Sequence, residues 1–508
     1  MLAKTISGSI IGIHGMMVQV EVDLQRGLPS FDIVGLPDKA VRESRERVKS
    51  AIKNSGFEFP ITKITINLAP ADIKKNGSFF DLAIATGILA ASEQLNTNLL
   101  NRYMITGELS LSGEVKKIKG LLPMVIEAKK KNMYGVIVPY KNLQEIKLIS
   151  NIKIIPVKHL REVISFFNKK IINKEYFNKT KNIKKKAVYK IDFSDVKGQE
   201  DAKRALEIAT AGLHNIIMIG PPGSGKTMLA KRIRTILPPL TKKESLELTS
   251  IYSILGITNN LHNLIRERPF RSPHHNISTA GLIGGGKIPE PGEVSLAHHG
   301  ILFLDELPEF NRNVLELLRQ PLESSIIKIS RALMSITFPA NFMLIAAMNP
   351  CPCGYYGDEH HQCTCSLTQI KKYRAKVSGP LLDRIDIHIE VPALNASEIT
   401  GENKGESSAE IRKRVIKVHK IQLKRYEKLD FNYNSQLFAS HIEKYCQIEN
   451  KEKEFLKTAI EELGLSVRGY DRILRLSRTI ADLDNSDKIK INHLAEAIQF
   501  RNLDRKLF

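Results

Sequence analysis

The chain has 508 residues, enough for about three domains with cores of their own. Its 42% apolar and 26% charged content suits a soluble globular protein, and no run of about 18 apolar residues is present to span a bilayer, which argues against an integral helical membrane protein. A formal charge of +22 attracts polyanions, since each Lys or Arg near a phosphate releases condensed counterions, so nucleic acid stands as the first partner to consider, against a merely solvated lysine-rich surface.

The start, MLAKTISGSIIGIHG, alternates like a strand and lacks a clear signal-peptide cleavage site, so a cytoplasmic protein is expected. Residues 1–168 read as mixed α/β: strand-like runs such as MMVQVEVDL, KITINLA and YGVIVPY alternate with helical stretches such as DKAVRESRERVKSAIKNSG. Residues 169–190 follow, with nine lysines against one acid and little apolar periodicity, and read as a basic linker. Residues 191–394 form a second α/β unit, whose apolar runs NIIMIG, GILFLDE and FMLIAAMNP separated by helical segments predict a parallel sheet covered on both faces. Residues 395–508 are helical in pattern and predict a smaller helical lid.

The chemistry concentrates in the second unit. GPPGSGKT (Gly220, Pro221, Pro222, Gly223, Ser224, Gly225, Lys226, Thr227) stands between an apolar strand and a helical run, the context a P-loop requires. Glycines let backbone N–H groups wrap the phosphates of ATP, Lys226 reaches the β and γ oxygens, and Thr227 binds Mg²⁺. GILFLDELPEF is a buried strand ending in two acids: Asp305 would hold Mg²⁺, and Glu306 would polarise the attacking water. Asn349 ends a further strand and would hydrogen-bond that water or the γ-phosphate. Arg384 in LLDRID and Arg468 in VRGYDRILR are distant in sequence, as arginines that sense a γ-phosphate across a subunit interface or from a lid must be.

Between these motifs, RPFRSPHHNISTAGLIGGGKIPEPGEVSLAHH is too rich in Gly, Pro and His for a plain helix, and its histidines fit structural positions better than a second metal site. IIKISRALMSITFPANF alternates as a β-hairpin carrying Lys328 and Arg331, candidates for DNA contact. Cys351, Cys353, Cys363 and Cys365 form two C-x-C pairs around a polar loop. In a reducing compartment four clustered thiols point to metal, and a full thiolate set makes the site structural. Zn²⁺ ranks first, although its usual spacing is C-x₂₋₄-C; an iron–sulfur cluster and unliganded or redox-active thiols remain open, and His360 or His361 could replace a thiolate.

The order P-loop, LDE, Asn349, LLDRID, VRGYDRILR resembles the AAA+ superfamily, in the branch shared by magnesium chelatase subunits and replicative MCM helicases. RPFRSPHH, GEVSLAHHGILFLDELPEF, NPCPCG and SGPLLDRID are similar to the ComM/YifB family of magnesium-chelatase-like bacterial proteins, and the likeness covers nearly the whole chain. The resemblance implies an AAA+ core with Asn349 as first sensor, Arg384 as arginine finger (Arg374 ranking second) and Arg468 as second sensor. It further implies an ATPase that assembles as a homo-hexamer and acts as a helicase on single-stranded and branched DNA, driving branch migration in homologous recombination during natural transformation, with recombination proteins as possible partners. The alternatives are a chelatase-like ATPase that remodels a protein partner, and an ATP-dependent protease. The last arises because NLAPADIKKNGSFFDLAIATGIL and TGELSLSGEVKKIKGLLPMVIEAKK resemble the proteolytic domain of Lon proteases and its relative in RadA. Where Lon supplies a serine and a lysine this chain has Phe79 and Leu122, so a Lon-like α/β domain without peptidase chemistry is expected, a repositioned Ser78–Lys119 dyad being the minor reading.

Overall fold

The computed structural model describes residues 1–147, 149–169, 190–257, 264–286, 289–331, 334–395, 405–463 and 466–501. The expected linker, 169–190, lies almost wholly outside them. The chain divides into two compact units, Met1–Lys185 with Lys242–Ile265, and Lys186–Thr241 with Arg266–Phe508. Lys242–Ile265, which lies inside the segment 191–394 read as one core, thus groups with the first unit, and the C-terminal helices group with the nucleotide-binding motifs.

The first unit is built on seven strands: β1 (Leu2–Ile11), β2 (His14–Gln25), β3 (Ser30–Val34), β4 (Lys63–Ala69), β5 (Tyr103–Ile105), β8 (Gly135–Pro139) and β9 (Lys153–Val157), in the order β3-β4-β2-β1-β5-β8-β9. A short hairpin of β6 (Glu108–Leu109) and β7 (Val115–Lys116) stands beside it. β1 and β2 pair antiparallel from Leu2↔Asp23 to Ile11↔His14. Their turn holds Gly12 at φ +60°, a conformation glycine adopts without penalty. The helix Asp81–Ala91 is buried along its whole length, as its sequence DLAIATGILAA dictates. The helix Lys242–Leu255 belongs here because its Leu246, with Leu264 beyond it, joins the core of Leu121, Met124 and Val125, and Ser253 accepts the Gly120 N–H at 2.9 Å.

The second unit carries β10 (Ile216–Ile219), β11 (Phe270–Arg271), β12 (Gly284–Gly285), β13 (Glu290–Pro291), β14 (Ile301–Leu304), β15 (Ile326–Arg331), β16 (Met334–Pro339), β17 (Met343–Met348) and β18 (Ile387–Glu390). Five of them make a parallel sheet in the order β11-β14-β17-β10-β18. Every residue of β10, β14 and β17 is buried, which explains their uninterrupted apolar sequences; each such side chain contributes roughly 1.5–3 kcal/mol. The helices Glu200–Gly212 and Lys226–Ile236, and the C-terminal helices Ser408–Arg425 and Val467–Leu483, complete its core.

Strand register does the positioning. Ile219 pairs with Met348, and Leu304 with Ala346, so the residues that follow β10, β14 and β17 emerge together at the carboxyl edge of the sheet. Those residues are Gly220, Asp305 and Asn349.

Candidate active site

The P-loop runs from β10 into the helix Lys226–Ile236, whose first N–H groups face the loop. Gly223 and Gly225 take φ of +80° and +88°, and a Cβ on Gly220 would lie 2.0 Å from the Val391 carbonyl oxygen, so the loop's shape demands these glycines. Lys226 is buried, donating to the carbonyls of Gly220 (2.7 Å) and Pro221 (2.8 Å) and approaching Asn349 Oδ1 at 3.3 Å. Burial lowers its ammonium to about 8, with Asp305 pulling the other way. Thr227 Oγ1 donates to Asp305 Oδ2 at 2.6 Å. The hydroxyl and carboxylate expected to hold Mg²⁺ are therefore side by side, a hard-oxygen pair that suits this ion.

Glu306 follows Asp305 at φ +53°, a left-handed conformation that costs a residue with a side chain about 1 kcal/mol. Its carboxylate is exposed, and His275 Nδ1 stands 3.5 Å from Glu306 Oε2. Sequence reasoning did not find this contact. It also missed Gln199, itself at φ +56°, whose amide donates to the Ser224 carbonyl at 2.6 Å and braces the P-loop from outside. The signal available was a glycine–glutamine pair (Gly198, Gln199) opening the helix that precedes the P-loop strand.

Arg384 pairs with Glu323, a carboxylate on which Arg468 acts through its charge alone. Arg384 Nη2 lies 2.5 Å from Glu323 Oε2, and its Nη1 donates to the Pro380 carbonyl at 2.7 Å. The Glu323 carboxyl is held below its ordinary range by that hydrogen bond and by the charges of Arg384, Arg468 and Arg319. A buried bracket fixes the arrangement: Asp386, two residues past Arg384, pairs with Arg472 at 3.3 Å, one helical turn past Arg468. His214 bridges Asp386 (3.3 Å) and Thr479 (2.7 Å). Burial works to raise the Asp386 carboxyl, but His214, Arg472 and Arg475 together hold it below the usual range. Arg374 packs elsewhere, donating to the Pro350 carbonyl at 3.1 Å and covering the Tyr356 ring.

The four cysteines converge. Cys351 Sγ lies 3.3 Å from Cys353 and 3.7 Å from Cys363, Cys353 lies 3.6 Å from Cys363, and all four sulfurs are within 4.8 Å of one another. Tetrahedral Zn²⁺ with bonds of about 2.3 Å sets sulfurs about 3.8 Å apart, so the donors fit that ion. Backbone N–H groups point at the sulfurs, Gly354 to Cys351 at 3.2 Å and Cys353 to Cys365 at 3.4 Å, as thiolates favour. The N–H groups of Tyr355 and Thr364 draw Cys353 down to about 5. His360 and His361 turn away to Asn395 and Asp358. The knot touches the P-loop: at Gly354, φ +91°, a Cβ would stand 2.5 Å from Pro222 Cδ.

Lys328 and Arg331 are both exposed on the antiparallel pair β15/β16, but on opposite faces: Lys328 points away from the buried Ile327 and Ile329, and Arg331 ends the face that those two share. In the first unit Ser78 donates its hydroxyl to Glu108, the Phe79 ring lies tilted against Phe80 with centroids 5.0 Å apart, and Leu122 is fully buried. A serine bonded to a carboxylate has a proton acceptor, but the Lon-type lysine position is filled by a core leucine.

A parallel sheet in this order, with a P-loop, an acid-tipped strand, a further strand ending in a polar residue and helices after it, has the architecture of an AAA+ ATPase. Matches to family models agree: Magnesium chelatase, subunit ChlI, over residues 192–399; Subunit ChlI of Mg-chelatase over 20–142; and Magnesium chelatase, subunit ChlI C-terminal, over 405–501. The chain is 45% identical to Competence protein ComM of Haemophilus influenzae, covering 100% of this chain and 98% of that one. It is 45% identical to the uncharacterized protein YifB of Escherichia coli, covering 98% and 96%. The chain therefore belongs to the ComM/YifB family. Lon protease 2 of Bacillus subtilis matches over 136 residues at 34% identity, 25% of this chain, which fits a Lon-like fold for the first unit. Among the described residues no helix is long and apolar enough to cross a membrane.

Proposed function

We propose that this protein is an ATP-driven DNA motor whose hydrolytic sites lie between subunits of a homo-hexameric ring, and that it drives branch migration during recombination of incoming DNA. One observation carries the reading: Lys226 bonds Asn349 and the adjacent Thr227 bonds Asp305 at the carboxyl edge of the sheet, while Arg384 pairs with Glu323, on whose carboxylate Arg468 also acts through its charge. An arginine engaged by a carboxylate of its own chain, with a second arginine's charge on the same carboxylate, suits a γ-phosphate presented by a neighbouring subunit.

In the reaction, Lys226 and the loop N–H groups hold the β and γ phosphates. Glu306 accepts the proton of the water that attacks the γ-phosphorus, the bond from that phosphorus to the β-phosphate bridging oxygen breaks, and ADP and phosphate leave. Asn349 orients the water or a γ oxygen. Mg²⁺, when bound by Thr227 and Asp305, supplies neutralisation of the phosphate charge. Lys328 and Arg331, both exposed on the hairpin, offer cations to a DNA backbone, in keeping with the net charge of +22. We read the cysteine knot as a structural Zn²⁺ site. The link to DNA uptake draws on the name of the Haemophilus relative, a competence protein. A cytoplasmic location accords with it.

Lys226→Ala should abolish nucleotide binding, whereas Glu306→Gln should bind ATP and fail to hydrolyse it; equilibrium binding with a fluorescent nucleotide, beside phosphate release, separates the two. Turnover by the wild-type protein should rise on adding single-stranded or forked DNA. Unchanged turnover with every DNA tried would favour the chelatase-like remodelling alternative.

A further inference from the structure

We infer that the C-terminal helical region carries a second nucleic-acid contact, a platform for unpaired bases made by Phe438 and its neighbouring rings beside a row of lysines on the helix Ser408–Arg425. The inference rests on the reading of the protein as a DNA motor, and it names a site apart from the β15/β16 hairpin.

The helix Ser408–Arg425 buries Ile411, Val415, Val418, His419 and Gln422 on one side. At about 100° per residue, Lys413, Lys417, Lys420 and Lys424 fall within about 60° of one another on the opposite side, and all four are exposed. The row is about 17 Å long, enough for about five phosphates at the roughly 3.4 Å spacing of a stacked strand. Among the described residues none of the four makes an ion pair, whereas Arg414 of the same helix is engaged by Glu207 and Glu406. From Lys413 to Tyr445 the sequence has six lysines against three acids, so this stretch favours an anionic partner. Exposed lysines by themselves describe any solvated helix face. The rings beside them narrow the partner.

Two residues past Lys424, the buried Tyr426 lies 5.0 Å from Phe431 and 5.3 Å from Tyr445, ring centre to ring centre. Phe431 in turn meets Phe438 at 6.4 Å and His441 at 5.2 Å, and Phe438 stands 6.0 Å from His441. The cluster is anchored in the core at Tyr426 and open to water at its other end, where Phe438, just before the helix Ala439–Tyr445, is 62% exposed. Lys428 and Lys444 are exposed beside these rings, Lys444 Nζ lying 5.2 Å from the centre of Tyr445. Neighbouring rings already hold Phe438, so a base stacking on it orders little more of the protein. A fixed, exposed ring next to a row of cations takes a base by its face and the backbone by its phosphates. In a duplex those faces are covered by the adjoining base pairs, so the occupant is single-stranded. An acidic peptide would satisfy the lysines, but its carboxylates offer the ring no plane to stack on.

The chain has no tryptophan, so Phe438→Trp gives the full-length protein a single fluorescent reporter at the site. Oligothymidylate should quench that emission saturably, while duplex DNA of the same length and polyglutamate should leave it near its starting value. In anisotropy with labelled oligothymidylate, Phe438→Ala should bind about tenfold more weakly, with its affinity for duplex unchanged and its melting temperature near that of the wild type. Exchanging the four lysines of the row for glutamine should make the slope of log K against log salt shallower by about 2 to 3, since each phosphate contact on a single strand contributes about 0.7. Tryptophan emission unchanged at oligothymidylate concentrations that saturate the anisotropy overturns the inference. Quenching by polyglutamate as strong as by oligothymidylate overturns it in favour of an acidic protein partner. Wild-type protein that binds no DNA in anisotropy removes the reading as a DNA motor, whereas DNA binding with a silent tryptophan removes only this platform.

Discussion

Arg47 and Asp81 show how strongly a single pair is bound to its surroundings. Asp81 is fully buried beneath the sheet of the first unit, taking two hydrogen bonds from Arg47 at 2.7 and 3.1 Å. Burial raises its carboxyl to about 6, with Arg47 opposing. Arg47→Ala leaves that carboxylate buried and unpaired, so the unit should lose about 3–5 kcal/mol of stability in denaturant unfolding near neutral pH. The sign of the pH dependence follows. Asp81 holds its proton more tightly folded than unfolded, so acidification from above 6 towards 4 favours the folded form, and the variant's deficit should shrink over that interval. A deficit that grows on acidification would contradict the assignment. At this scale the sequence exposed Lys226, Asp305 and the cysteines because their chemistry follows from residue type and spacing. It did not expose Gln199 or His275, since an amide beneath a loop and an imidazole against a carboxylate are set by tertiary approach alone.

Among elements, the cysteine loop and the arginine bracket matter most. The loop leaves β17 directly after Asn349 and seats Gly354 against Pro222, so it forms part of the P-loop's wall as well as a closed knot. Gly354→Ala should raise KM for ATP while leaving metal content at one ion per chain, because a Cβ there strikes Pro222 in a backbone conformation that already disfavours side chains. Cys363→Ser should instead take metal content towards zero and lower the melting temperature. Metal analysis beside steady-state kinetics distinguishes the two effects. For the bracket, Arg384→Ala should cut turnover about a thousandfold in uniform assemblies, and mixing it with Lys226→Ala subunits should restore part of it. No recovery in mixed assemblies that demonstrably form would mean that Arg384 serves its own chain's nucleotide. The strand–loop–helix order around the P-loop was readable because apolar runs and glycines fix it locally. The bracket was not: its Asp386, Arg472 and His214 are remote in sequence and polar, and only burial makes them a unit.

Over the whole molecule, the two kinds of α/β unit and the helical character of the C-terminal region were legible from alternation of apolar runs and from a resemblance carried by long motifs. The grouping of Lys242–Ile265 with the first unit was not. A helical pattern following the P-loop helix looks like its neighbours, and nothing in the residues themselves says that Leu246 and Leu264 close the core around Leu121 and Met124. Residues 169–190, expected from the sequence to be a basic linker, carry nine of the chain's lysines, a composition that favours salt-dependent affinity for a polyanion. The central claim is that ATP hydrolysis at these sites moves DNA. The most direct measurement is release of a labelled strand from a three-stranded junction by the full-length protein with ATP and Mg²⁺. The account predicts ATP-dependent release by the wild type and none by Glu306→Gln, which should still bind the junction. Wild-type protein that hydrolyses ATP normally but releases no strand from any forked or three-stranded DNA would contradict it.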